Sequence, residues 1–211
     1  ARFDFSHALQ LKPDLIDAYN FLGIHYTQLQ EFAQAYEQFD SALDLAPEHE
    51  YAYLNRGIAL YYGSRPELAS IDFKAFHQKQ QDDPYRLLWL YLTEYEVDPL
   101  AAKYSLKQRA EIVDERTWAK QVVYLYLGEI SQTEFVKGLT KDVRSNKELT
   151  ERLCEAYFYL GKYNQTLGYR GSAANYFKLA LSTNVYEFVE HRYAKLELDL
   201  MRTKKAAQPQ L

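Results

Sequence analysis

Residues 16–49 read IDAYNFLGIHYTQLQEFAQAYEQFDSALDLAPEH, and the fold is decided by where eight of them fall. Tyr19, Leu22, Gly23 and Tyr26 lie at i, i+3, i+4 and i+7, one stripe of a first helix. Ala35, Phe39 and Ala42 make the facing stripe of a second, and Pro47 ends the pair. Small residues mark the places where backbones must approach. Gly23 and Ala35 let the two helices close up, Phe39 fills the space beside them, and Ala42 leaves room for the helix that follows. A generic amphipathic bundle explains alternating stripes but not small residues at these fixed offsets.

The phase recurs every 34 residues. Residues 50–83 supply Tyr53, Gly57, Ala69 and Phe73, with Arg56 in place of the Leu, Leu60 in place of the second aromatic, and the proline delayed to Pro84. Residues 154–187 supply Tyr157, Leu160, Gly161, Ala173, Phe177 and Ala180, with Asn164 at the second aromatic and Val185 at the proline. Ala1, Phe5, Ala8 and Pro13 fit the second half of one more unit. This is the signature of a tetratricopeptide (TPR) repeat, with Tyr19 at the usual Trp position. The expected fold class is therefore all-α, a TPR-type helix-turn-helix superhelix or α-solenoid, in which each pair buries its face against its neighbours.

One TPR-like domain is expected over 1–211. It comprises a partial repeat at 1–15, repeats at 16–49, 50–83 and 154–187, degenerate helix pairs at 84–153, a capping helix at 188–203 and a flexible, basic tail at 204–211. About twelve helices are predicted, near 2–11, 14–28, 31–45, 48–62, 66–80, 84–96, 99–112, 115–128, 132–143, 147–168, 171–182 and 186–202. Asp83-Pro84 and Asp98-Pro99 each supply an N-cap with proline at the first helical position, and Ser131 with Glu134 makes a capping box. The run VVYLYLGE at 122–129 is read as helix, because no hairpin signal surrounds it.

Composition excludes several functions. The net charge of −4 and pI near 5.8, with no basic cluster inside the helices, argue against a nucleic-acid partner. The longest apolar runs, 87–92 and 122–127, are six residues each, too short to cross a bilayer. Cys154 is alone and is read as a buried thiol. The five histidines are scattered, and neither H-E-x-x-H nor its inversion occurs around Glu190-His191. Gly161-Lys162 resembles the end of a phosphate loop, but Ala156 stands where its first glycine is needed. No catalytic residue, metal ligand or cofactor site is expected, and the chain is read as a non-enzyme.

Recognition is expected on the first helix of each pair, whose off-consensus positions line a concave groove in such a superhelix. That places Asp17, Asn20, Ile24, Thr27 and Gln28 beside Tyr51, Leu54, Asn55, Ile58, Tyr61 and Tyr62. Aromatic rings offer rigid contact area and amides can bond a peptide backbone, so a protein segment is the expected guest. The clamp that chaperone-binding repeats use for a C-terminal carboxylate is not reproduced, since Ile24 occupies an Asn position and no Lys lines the first helix.

The stretch from Tyr19 to Ala69, and LNRGIALYYG within it, resembles the lipoprotein NlpI family of Gram-negative bacteria. DDPYRLLWLYLTE, the Trp118–Gly128 helix, YFYLGKY and FVEHRYAKLEL continue the resemblance in order, with VEHRYA outside the repeat consensus. The resemblance implies a periplasmic protein held to the outer membrane by a lipidated N-terminal cysteine. It implies a homodimer that links a tail-specific periplasmic protease to murein hydrolases, notably a murein endopeptidase, in cell-wall turnover and division. The alternatives are a pilotin-like TPR lipoprotein that assists outer-membrane secretin assembly and, behind it, an enzyme with no recognisable motif. Because the chain opens partway through a repeat, an upstream signal segment and lipobox are expected, and Phe5, Ala8 and Leu9 are expected to face water unless upstream residues or a second subunit cover them.

Overall fold

The computed structural model describes the backbone of residues 2–206 and the side chains of residues 3–203. Among the described residues there are twelve α-helices and no strand. They are α1 (Arg2–Leu11), α2 (Ile16–Gln28), α3 (Phe32–Leu45), α4 (Glu50–Tyr62), α5 (Pro66–Lys79), α6 (Pro84–Val97), α7 (Pro99–Ala110), α8 (Lys120–Leu127), α9 (Gln132–Gly138), α10 (Asn146–Thr166), α11 (Arg170–Ser182) and α12 (Val189–Ala206). Contacts gather them into two compact units that divide between Val123 and Tyr124, inside α8. The expected tail beyond Ala206 lies outside the described residues.

In the first unit, α2, α4 and α6 begin at residues 16, 50 and 84, so the 34-residue phase is physically kept through three pairs. The first two pairs are closed by the same device. A methyl built on Gly23 would lie 2.5 Å from the Phe39 ring, and one on Gly57 would lie 3.1 Å from the Phe73 ring. Phe39, Phe73, Ala35 and Ala69 have no exposed surface, and burying each phenyl ring contributes about 1.5–3 kcal/mol. Ala42 and Leu43 cluster with Ala52 at the start of α4, the packing for which Ala42 was expected to leave room. Phe73 also stacks on Trp89, ring centres 5.7 Å apart, which ties α5 to α6. At the other end α2 covers part of α1. Phe5 stacks on Phe21 at 5.3 Å, and Phe5, Ala8 and Leu9 are half-buried without the upstream residues or second subunit expected to cover them; Phe3 and Leu11 are the exposed apolar residues of α1.

Local signals start the third pair. Asp83 accepts from the Tyr85 and Arg86 amides at 2.8 and 3.3 Å, and Asp98 accepts from the Leu100 and Ala101 amides at 3.0 Å each. Two predicted helices are shorter than expected. The helix expected at 115–128 begins at Lys120, because Asp114 accepts from both the amide and the side chain of Arg116 at 2.9 and 3.1 Å, pinning a turn ahead of it. The buried Lys120 amine then donates to the Ala110 and Val113 carbonyls at 2.7 Å, closing the end of α7.

In the second unit the helix expected at 132–143 stops at Gly138, and Asp142 turns into the left-handed region at φ 57°. Arg152 supplies the same closure here, donating to the Leu139 and Lys141 carbonyls at 3.4 and 2.7 Å. The pair α10/α11 repeats the glycine device most tightly, with Phe177 2.4 Å from a methyl built on Gly161. Asn164, which takes an aromatic slot, donates to Gln132 at 2.9 Å, and Gln132 donates to the Tyr176 hydroxyl at 3.0 Å, so α9, α10 and α11 share one polar link.

Candidate functional site

Helices α2 and α4 carry the eleven residues expected to meet a partner, and the structure divides them sharply. Asn20, Ile24, Thr27, Leu54, Asn55, Ile58 and Tyr62 are buried. Their polar members are bonded internally: Asn55 donates to Asn20 across the two helices at 3.0 Å, and the Thr27 hydroxyl donates to the Gly23 carbonyl at 2.8 Å. Asp17, Gln28 and Tyr51 are exposed, Tyr51 by 53%, and Tyr61 is half-buried. Off-consensus position on a first helix therefore does not guarantee exposure: Ile24, Leu54, Ile58 and Tyr62 pack inside, and the Asn20–Asn55 amide pair satisfies itself within the repeat stack.

Tyr61 lies edge-on to Tyr62 at 5.1 Å and to Trp89 at 6.2 Å, with its hydroxyl 3.5 Å from a Glu96 carboxylate oxygen. Glu96 is the residue that sequence reasoning missed. It stands 34 positions after Tyr62 and 68 after Gln28, in the same row of the same face, and carrying the phase into α6 would have found it. Near the opposite end of α2 and α4, His49 accepts from the Ala52 amide through Nδ1 at 3.1 Å and places Nε2 3.9 Å from Asp17.

The first helices hold little free positive charge. Arg56, the residue at the lost Leu slot, forks onto Asp72 at 2.8 and 2.7 Å and reaches Asp40 at 2.6 Å, joining α3, α4 and α5. Burial raises the Asp72 pKa, opposed by Arg56, while the Asp72 hydrogen bonds drive the guanidinium pKa upward. Arg86 donates to Glu50 at 2.9 Å and to the Phe76 carbonyl at 2.8 Å, and its guanidinium lies 4.0 Å from the Phe76 ring centre. Both arginines are thus committed within the fold.

The residues weighed for chemistry also have structural partners. The Lys162 amine meets Glu197 at 2.6 Å with both side chains buried, and Glu197 accepts from Gln165 as well. Glu190 accepts from the Tyr159 hydroxyl at 3.2 Å, and His191 Nε2 lies 3.1 Å from the Leu181 carbonyl. Cys154 is buried, and desolvation pushes its thiol pKa up to about 11, the condition of an inert packing residue. Burial, then the Arg109 charge, holds His77 below the ordinary imidazole range. Among the described residues no His, Cys, Asp and Glu side chains converge in a metal-binding group, and no helix is long and apolar enough to cross a membrane.

No protein-family model matches the chain. Among solved structures, a tetratricopeptide repeat protein from Parabacteroides merdae is similar at 19% identity and a TM-score of 0.54, covering 94% of this chain and 76% of that one. YrrB, described as a TPR protein with an unusual peptide-binding site, aligns at 16% identity and a TM-score of 0.47, over 93% of this chain and all of that one. Yeast Tom70 aligns at 16% identity and a TM-score of 0.49, over 97% of this chain but only 43% of that one. With the first of these likenesses and the glycine–phenylalanine pairs in place, the fold is that of TPR helix pairs.

Proposed function

We propose that this chain is a non-catalytic scaffold that holds other proteins, and that it acts as a periplasmic adaptor between a tail-specific protease and murein hydrolases. The observation that carries the reading is the row structure of the first unit: three first helices in one 34-residue phase, presenting Asp17, Gln28, Tyr51, Tyr61 and Glu96 on a single face. Two tyrosines among polar groups on a rigid stack suit capture of a protein segment, since rings contribute contact area with few rotors to fix. The resemblance to the lipoprotein NlpI family supports the finer assignment: a lipid-anchored protein at the periplasmic face of the outer membrane, homodimeric, working in peptidoglycan turnover and cell division. Holding protease and substrate on one scaffold raises their effective concentration to as much as about millimolar, which can exceed either separate affinity.

The test is reconstitution. The purified protein should accelerate degradation of a murein endopeptidase by its cognate tail-specific protease, and Tyr51→Ala should weaken capture of at least one of the two. Tyr51 is the apt position because its side chain is exposed, whereas Tyr62 is buried and its loss would disturb the fold. No acceleration by the unsubstituted protein overturns the adaptor reading.

A further inference from the structure

On the side of the first unit formed by α5, α6 and α7 there is a cleft of about 320 Å³, and none of its lining residues is among the tyrosine-face residues. That is the small end of the range for ligand sites, about 300–1,000 Å³, and suits an inserted side chain. Val97, Ala101 and Ala102 give it apolar walls, and Glu67 and Asp98 stand at its edge as exposed carboxylates. Its other carboxylate is engaged: Glu94 accepts from Arg109 at 2.6 and 3.1 Å, with the Lys74 amine 3.9 Å away. Asp98 uses Oδ1 to cap α7, and among the described residues no hydrogen bond or ion pair holds Glu67. Lys74 also lines the cleft, so three carboxylates (Glu67, Glu94, Asp98) stand against two cations (Lys74, Arg109) and the rim is net negative by one charge.

Helix geometry extends the surface. Ala101 and Ser105 are one turn apart on α7 and line the cleft, so Leu100 and Tyr104, each one position earlier, form the adjoining stripe. Leu100 is 84% exposed, Tyr104 69% and Val97 51%, an apolar strip running directly into an apolar-walled, acid-rimmed cleft. Single exposed apolar residues are ordinary; a contiguous strip beside a cleft marks a contact site.

We propose that this cleft docks an amphipathic segment of another protein, which inserts a large aliphatic side chain between Val97 and Ala101, lays its apolar face on Leu100 and Tyr104, and sets a Lys or Arg against Glu67 and Asp98. The site is distinct from the first-helix face and stands without the adaptor reading. An amphipathic helix enters a groove through its own anchors three and four residues apart, one for the cleft and the next for the strip beside it.

The probe is a synthetic helical peptide with one leucine face and one lysine face, compared with the same peptide carrying glutamates for lysines. Binding to the full chain is followed by fluorescence anisotropy and by backbone amide shifts. The lysine peptide should bind with shifts centred on 97–105 and lose about tenfold in affinity with Leu100→Ser/Tyr104→Ser or with Ala101→Trp, which fills the cleft; Glu67→Gln should cost about two- to fivefold. All four positions are exposed, so folding is not at stake. Equal binding of the glutamate peptide, shifts elsewhere, or no binding of either peptide overturns the proposal. So would a change of oligomeric state in Leu100→Ser/Tyr104→Ser, which would assign the strip to a second copy, or preferential binding to phosphatidylcholine vesicles, which would assign it to lipid.

Discussion

The pair α2/α3 and the pair α6/α7 hold the same place in the 34-residue phase yet are closed in opposite ways. In α2/α3 the first helix contributes no side chain at the crossing, and the second contributes a ring: Gly23 faces Phe39. Counting from the helix starts, the third pair has Tyr91 in the glycine slot and Leu106 in the phenylalanine slot, both buried, with Ala102 keeping the alanine slot. By position, the larger side chain stands on the first helix of this pair. What a repeat requires at this crossing is a total volume, and the consensus is one way of dividing it.

The division has a consequence for how each pair is specified. Neither α3 nor α5 has a side-chain cap at its N-terminus, where Glu31 and Arg65 stand; α5 still opens on Pro66, whereas the start of α3 rests on tertiary packing. α6 and α7 each begin with a capped aspartate and a proline, and α7 ends under the Lys120 amine. Local instructions replace the lock.

The largest expected effect breaks the lock itself. Phe39→Ala should remove about 3–5 kcal/mol from the unfolding free energy, because the ring is wholly buried and a Gly–Ala crossing cannot collapse onto the space it leaves. Urea denaturation monitored by circular dichroism reads it. A loss under about 1 kcal/mol would mean that the ring is not what closes the pair.

A graded series sharpens the comparison. Gly23→Ala and Gly161→Ala place a methyl 2.5 and 2.4 Å from a buried ring that has no room to retreat, whereas Gly57→Ala places it at 3.1 Å. The first two should cost about 1–3 kcal/mol and the third less, near the lower limit of that range. Combining Gly23→Ala with Phe39→Leu moves the first pair toward the third pair's arrangement, so the double variant should lose less than the sum of the singles by about 0.5–3 kcal/mol. Strict additivity would show that volume is not being traded across the crossing.

These contrasts explain what was legible in the sequence. Gly23, Phe39 and their counterparts are residue types at fixed offsets, so the fold and most helix limits could be read directly. The groove could not, because Asn20 and Thr27 look like surface residues until their partners, Asn55 and the Gly23 carbonyl, are placed in space. The early ends of α7 and α9 escaped for a related reason, while the late start of α8 follows from the Asp114–Arg116 turn. Lys120 closes α7 from ten residues beyond Ala110, and Arg152 reaches back thirteen residues to Leu139; a cap delivered by the side chain of a later helix leaves no local pattern. The α5–α7 cleft was likewise hidden, since Val97, Leu100 and Tyr104 read as ordinary helix positions until their exposure is known.

The smallest effect tests the local instructions. Asp98→Ala removes the acceptor of the Leu100 and Ala101 amides at the start of α7 and should cost about 1 kcal/mol, the usual worth of an N-cap. Glu31→Ala, at the corresponding position of α3, removes no cap bond and should stay within about 0.5 kcal/mol. Position and helix length are closely matched between the two sites, with Asp98 exposed and Glu31 half-buried, so the difference reports chiefly on the cap bonds. Native-state hydrogen exchange locates it: with Asp98→Ala, protection should fall first in the amides of the opening turn of α7, while α3 keeps its own in Glu31→Ala. Equal losses at the two positions would mean that the third pair is held by packing like its neighbours, and that its aspartate and proline only accompany the helix start.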